Sequence, residues 1–159
     1  MRAYADSSFL VKLIAREPGT EAAVAQYRRL ELPRLYFLPL HALEVENAVR
    51  QRAFHQRRAS PSGQRAQIAR GKTAALARLE RMLERGAFLA VAADWDDATR
   101  RARALSERHT ERTGARAFDL LHVAFALELE CEAFLTGDER QGVVAKAESL
   151  EVILVSEPD

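Results

Sequence analysis

The sequence predicts an α/β fold, a three-layer α/β/α sandwich around a five-stranded parallel sheet, and three observations carry that prediction. Five short runs have strand character. They alternate with helical segments from one end of the chain to the other, and they are continuously apolar instead of apolar on every second residue. A strand that passes into a helix before the next strand builds βαβ units, whose crossovers cover both faces of the sheet, so such strands need no polar face. At 159 residues the chain has the length of one ordinary domain and can bury a core without disulfides or a structural metal. The whole of 1–159 is expected to form that domain.

The first strand is expected over 2–6 (RAYAD), followed by helices over about 8–16 and 20–31, separated by Pro18-Gly19-Thr20. Pro33 precedes the second strand, 35–38 (LYFL). Helical composition then runs over about 41–58 and 64–85, interrupted by "RRASPSG" at 57–63, so residues 41–85 are expected to form a projecting helical hairpin. Gly86 ends it before the third strand, 88–92 (FLAVA). Helices follow over about 96–113 and 118–130, the second within "ARAFDLLHVAFALELE" and almost wholly apolar. The fourth strand, 133–136 (AFLT), leads through Gly137 to a helix over about 139–148 and a fifth strand at 151–155 (EVILV).

Composition narrows the class. With 48% apolar and 30% charged residues, seven Gly and five Pro, the chain belongs with folded, helix-rich proteins and not with disordered ones. Cys131 is the single cysteine, and the four histidines (41, 55, 109, 122) have no zinc-ligand spacing. No signal pattern precedes Asp6 and no apolar run is long enough for a bilayer, so a reducing, cytoplasmic setting without membrane contact is expected. The formal charge of +1 conceals an asymmetry: residues 50–85 hold ten basic and two acidic side chains, a local +8 that leaves the remainder near −7. A basic segment joined to an acidic body points to a polyanionic partner, with a solvated helical hairpin as the plainer explanation.

In open parallel sheets, sites form beyond the carboxyl ends of the strands. Asp6 ends the first strand, Asp138 follows the fourth by one glycine, and Asp119 opens the helix that runs back toward the fourth strand, so all three fall on that edge. Glu44 or Glu46 adds a fourth carboxylate from the first turns of the helix after the second strand. The two differ by about 200° around a helix, so only one faces the site. Periodicity does not choose between them, although Glu46 has an i,i+4 partner available in Arg50. Each acid also has a local use as a helix cap or turn residue. Gathered together, carboxylates repel unless a cation is present, and the cation suited to them is Mg²⁺ or Mn²⁺, as one or two ions able to activate water for phosphodiester hydrolysis.

Four pieces of the chain, "YADSSFLVKLI", "LPLHALEVENAVR", "ARAFDLLHVAFALE" and "AFLTGDER", resemble the PIN-domain family, specifically the VapC toxins of type II toxin-antitoxin systems. In that family an Asp is followed two residues later by Ser or Thr, as Asp6 and Ser8 are here. Asn47-Ala48-Val49 after the second-block acid selects Glu44 over Glu46. Asp119, His122 and Ala124 match a "D-x-x-H-x-A" helix, and Thr136 and Asp138 match "T-x-D". The resemblance implies a strand order of 3-2-1-4-5, metal-dependent endoribonuclease activity, neutralisation by a VapB-like antitoxin, and a homodimer. That order puts the third strand at the sheet edge, so Asp94, Asp96 and Asp97 are expected to cap a helix.

On this reading Asp6, Glu44, Asp119 and Asp138 hold the metal directly or through water, and RNA is cut to leave a 5′-phosphate and a 3′-hydroxyl. Ser8 and Thr136 are expected to orient carboxylates or to serve as local caps, Asn47 to contact substrate or a neighbouring acid or to be a helix-surface amide, and Arg116 to be an exposed loop arginine or to grip a phosphate. His122 is expected to pack within the helix interface, and Lys12 with the basic stretch 50–72 to follow the RNA backbone. A phosphoaspartyl receiver would need adjacent acids after the first strand, and an aspartate-nucleophile phosphatase a second Asp where Ser8 stands. A noncatalytic RNA-binding or scaffold module is the remaining alternative.

Overall fold

The computed structural model describes residues 1–155, so positions 156–159 of the expected domain lie outside the described residues. In chain order the elements are β1 (Ala3–Ala5), α1 (Ser7–Ile14), α2 (Thr20–Arg29), β2 (Leu35–Phe37) and α3 (Pro39–Ala59). A single 3-10 turn (Ser62–Gln64) leads to α4 (Arg65–Glu84), β3 (Phe88–Ala90), α5 (Trp95–Thr113) and α6 (Ala117–Glu128). The chain continues through β4 (Ala133–Thr136) and α7 (Glu139–Ala147) to β5 (Glu151–Leu154). All neighbouring strands are parallel and the order is β3-β2-β1-β4-β5. The alternation read from the sequence is therefore the architecture. β4 has the expected bounds, whereas β1 and β2 end a residue earlier than expected because the chain turns directly from strand to cap: Asp6 caps α1 and Leu38 precedes Pro39 at the start of α3.

β1 lies at the centre, and its residues divide the core into two layers. Ala3 and Ala5 pack with Phe9, Leu10, Val45 and Leu79 from the α1–α4 side. Tyr4, between them, points the other way, toward Leu105, Val123, Phe125 and Val144 of α5, α6 and α7. The alternation of a pleated strand persists here, hidden because both faces are covered. On the second face Tyr4 stacks on Phe134 of β4 with ring centroids 5.7 Å apart. Cys131 is buried, and burial pushes its thiol up to about 12, so it stays protonated at neutral pH.

The hairpin is present as α3 and α4, and its outer half contributes almost nothing to the core. From Phe54 to Ala74 only Ser60, Ile68 and Lys72 are even partly covered. Gly71 lies in this stretch of α4, and a Cβ built there would meet no atom within 4 Å. Nothing in the packing calls for glycine, which in a helix interior costs about 0.8–1 kcal/mol relative to alanine. Gly71→Ala is accordingly expected to stabilise the protein by about that amount, read as an upward shift of the urea midpoint with unchanged slope.

Candidate active site

Asp6 is placed by the sheet itself. Its N–H donates to the Leu135 carbonyl at 2.9 Å, continuing the β1–β4 ladder by one bond, and the chain then enters α1. The carboxylate, fully buried, caps that helix: Oδ1 accepts from the Phe9 N–H at 2.8 Å. The Ser8 hydroxyl donates to its two oxygens at 2.8 and 3.0 Å, and Thr136 Oγ1 donates to Oδ2 at 2.6 Å. Burial pushes the Asp6 carboxyl up, opposed by the charge of His122 and by these donors. Ser8 in turn accepts from the Gly137 N–H at 2.8 Å, and a Cβ at Gly137 would sit 3.0 Å from Ser8 Oγ, a contact only glycine avoids. Ser8 and Thr136 thus lock the ends of β1 and β4 around one carboxylate.

Asp138 stands two residues beyond β4 and caps α7, accepting from the N–H groups of Arg140 (2.8 Å) and Gln141 (3.3 Å). Its own N–H donates to Thr136 Oγ1 at 2.9 Å, so Thr136 joins it to Asp6. Asp119 is the third residue of α6. Its Oδ2 closes on the Arg116 N–H at 2.7 Å, which settles one orphan donor of the helix start, and its Oδ1 accepts from Gln141 Nε2 at 3.1 Å. Gln141 is 6% exposed, and its Oε1 is a buried acceptor with no donor among the described residues. The carboxylate at the head of so apolar a helix therefore serves both as a helix-end acceptor and as a link to α7.

Glu44 faces the same rim from α3. Its Oε2 accepts from Ser7 Oγ at 2.7 Å and lies 2.6 Å from His122 Nε2. Burial would raise this carboxyl, but His122 and the Ser7 hydroxyl more than offset it and hold it below the usual carboxylate range. On the far side of the imidazole, Nδ1 is 2.8 Å from the Tyr4 hydroxyl. Burial together with the charges of Asp6 and Glu44 holds that phenol well above its usual pKa, so Tyr4 keeps its proton and the imidazole bridges its hydroxyl and the Glu44 carboxylate. His41 completes the edge: its Nδ1 accepts from the Leu38 N–H at 2.9 Å and its Nε2 donates to the Ala5 carbonyl at 2.9 Å, tying the start of α3 to the end of β1. Burial and the neighbouring His122 hold His41 well below its usual pKa, consistent with that neutral tautomer.

Asp6, Glu44, Asp119 and Asp138 thus share the carboxyl edge of the sheet, the three aspartates joined through Thr136 and Gln141 and Glu44 held by Ser7 and His122. Glu46 pairs with Arg50 at 2.8 Å, as its i,i+4 spacing suggested, and Asp94 caps α5 by accepting from the N–H groups of Asp96 and Asp97. Asn47 is exposed on a groove shared with Ser7, Glu44, Leu43 and Phe118, and Arg116 is exposed at the mouth of α6. Two expectations are corrected. Lys12 does not reach toward a ligand: it is 6% exposed and pairs with Glu17 at 3.1 Å, because the turn after α1 folds that acid back over it. His122 is more than packing, since the buried Tyr4 hydroxyl requires a partner and the ring supplies it. Sequence reasoning missed Gln141, Tyr4, Ser7 and His41. Gln141 alone had a local signal, standing three residues after a capping aspartate.

The donor set suits a hard cation, being all carboxylate oxygen, and the orphaned Gln141 Oε1 is a further oxygen acceptor between Asp119 and Asp138. Among the described residues no group of three or more His, Cys, Asp or Glu is placed to hold a metal ion directly. A fit at this rim therefore takes one or two carboxylates with waters completing the shell, the ordinary habit of Mg²⁺.

The profile of the PIN domain family matches residues 3–147. No curated protein matches the chain. Among solved structures, the crystal structure of PAE2754 from Pyrobaculum aerophilum is similar with a TM-score of 0.56, covering 96% of this chain and 89% of that one at 17% identity, a likeness of fold. No helix among the described residues is long and apolar enough to cross a membrane. With the family profile running from β1 to α7, across every element that contributes a carboxylate to the rim, this chain belongs to the PIN-domain family.

Proposed function

We propose that the protein is a Mg²⁺- or Mn²⁺-dependent endoribonuclease, the toxin of a type II toxin-antitoxin pair held in check by a VapB-like antitoxin and acting as a homodimer. PIN domains are in general nucleases that use divalent metal ions. The observation that carries the reading for this chain is the set of four acids from four distant segments on one edge of the sheet, three of them linked through Thr136 and Gln141 and the fourth, Glu44, held beside them by Ser7 and His122. A bound metal would supply water activated for attack on a phosphodiester and would neutralise charge on the phosphoryl group. Asp6, Glu44, Asp119 and Asp138 are the residues that would hold it, directly or through water.

The rest is the work of the chain. Ser8, Thr136 and the Phe9 N–H keep the Asp6 carboxylate in one orientation. Gln141 does the same for Asp119, and His122 with Ser7 for Glu44. Such support matters because carboxylates that would hold a metal fix its position only when they do not swing. Arg116 and Asn47 are exposed beside the rim, and on this reading they meet the phosphate and the nucleotide of a bound strand.

The test is cleavage of a mixed single-stranded RNA pool by the purified protein with EDTA, Mg²⁺ or Mn²⁺. Cleavage in a divalent metal, lost in EDTA and in Asp119→Asn, is the expected result. No cleavage in either metal, or equal cleavage by the variant, would overturn the enzymatic reading in favour of a noncatalytic RNA-binding module. Growth arrest on expression, relieved by the product of a small adjacent gene, tests the toxin role separately, and sedimentation tests the dimer.

A further inference from the structure

Between the two long helices of the hairpin, alongside the end of α1 farthest from the acids, runs a cleft of about 630 Å³. From α3 it is lined by Val49, Arg52, Ala53 and Gln56, one stripe at helical spacing, and from α4 by Gln67, Gly71, Ala74 and Arg78, another. The seam stays open because the residues that would fill it are small: Ala53, Ala74, and Gly71, where a side chain would meet nothing. Five cations line it, Arg16, Arg52, Lys72, Arg78 and Arg81, and no acidic residue does. Arg52 reaches Glu17 at 3.1 Å, but among the described residues Arg16, Lys72, Arg78 and Arg81 have no carboxylate partner. Like charges brought together without counter-charges raise the energy of the compact state and attract an anion.

We propose that this cleft binds the phosphodiester backbone of single-stranded RNA, carrying the strand away from the acidic rim. The proposal rests on the nuclease reading above and adds to it the place where the flanking strand lies. Its form favours an extended polyanion over a single phosphate. Lys72, Arg78 and Arg81 are strung along about 13 Å of α4, roughly four nucleotides at the ~3.4 Å rise of a stacked strand. The cleft and the site are also bordered by the same helix, α3, which carries Glu44, Asn47 and Gln51 beside the rim and Arg52 and Gln56 immediately beyond. Gln56, Gln64 and Gln67 add neutral hydrogen-bonding groups suited to sugars and base edges.

The experiment measures binding of a fluorescent 12-residue oligouridylate in EDTA at salt concentrations from about 50 to 200 mM, where no cleavage intervenes. It compares the full-length protein with Lys72→Gln/Arg78→Gln/Arg81→Gln. A control triple, Arg100→Gln/Arg101→Gln/Arg103→Gln on α5, removes the same charge elsewhere. Each phosphate contact contributes about −0.7 to the slope of log affinity against log salt for a single strand. The cleft triple is therefore expected to flatten the slope by about 2, so that over this fourfold salt range it loses roughly 20-fold less affinity than wild type. The control is expected to keep the wild-type slope. Melting temperatures confirm that both triples are folded. A flattened slope in the cleft triple supports the proposal even if the wild type cleaves no RNA in Mg²⁺ or Mn²⁺, a result that would fall on the nuclease reading alone. An unchanged slope in the folded cleft triple, or a polyglutamate peptide that competes as strongly as RNA and so marks an acidic protein partner, would overturn it.

Discussion

Asp6→Asn is expected to lower metal-dependent RNA cleavage by about 10³-fold while raising the melting temperature of the metal-free protein. The loss follows from the several kcal/mol of charge stabilisation that a metal supplies, at 1.36 kcal/mol for each tenfold in rate. The gain follows from burial. Asp6 is fully buried and its carboxyl is raised above the ordinary value, so the folded state holds its proton more tightly than the unfolded chain does. Stability is therefore lost as pH rises from the unfolded value of 3.8 through the folded one, and the charge is a burden at neutral pH. Asparagine removes that burden and keeps the geometry: it can still accept from Phe9 and Ser8, and its amide can donate to Thr136 Oγ1, which already accepts from Asp138. Thermal melts in EDTA should show the variant's advantage greatest near pH 7 and vanishing below pH 3.8. Glu44 has the opposite sign: its carboxyl is held below 4.5, so it stabilises above that pH and the contribution is lost as pH falls through the folded value. A variant that melts below wild type at pH 7 would contradict this account of Asp6.

The second large effect is a change of sign. His122→Leu removes the partner of both the Tyr4 hydroxyl and Glu44 and is expected to cost about 3 kcal/mol, since a buried hydroxyl left unpaired costs about 1–3 kcal/mol and the bond to a carboxylate adds to it. For a chain of this length that is about 10 °C in melting temperature. Tyr4→Phe in the wild-type background should destabilise by about 1–2 kcal/mol, by stranding Nδ1 of the imidazole. In the His122→Leu background the same substitution should stabilise, because it deletes a hydroxyl that has lost its partner. A double-mutant cycle reads this directly, and additive effects would show that the two side chains do not depend on each other.

Much of this molecule was legible before any coordinate. Helix and strand alternate because each apolar run is either long enough for a helix or bounded by Gly and Pro, and parallel pairing follows from the crossovers. The rim was legible because position in a βαβ unit decides which strand end a residue occupies: Asp6 and Asp138 follow strands and Asp119 starts the helix before one. The support beneath that rim was not. Tyr4 and His122 are 118 positions apart, and a period-2 or period-3.6 pattern reports which face a residue takes and says nothing of which residue it meets there. Lys12 misled for a related reason. A lysine in the last turn of a helix beside the site reads as free to follow the RNA backbone until the following turn returns Glu17 to it. Gln141 was passed over because a glutamine after a capping aspartate is common, and only the fold shows its side chain reaching across to α6.

The hairpin's outer half has a consequence for how such a protein can diverge. Since almost nothing between Phe54 and Ala74 is held by the core, insertions, deletions and charge reversals there leave the sheet's folding undisturbed, whereas the residues locking Asp6 tolerate little. Selection can thus retune which molecules are captured, by redrafting one protruding arm, while the chemical apparatus stays as inherited.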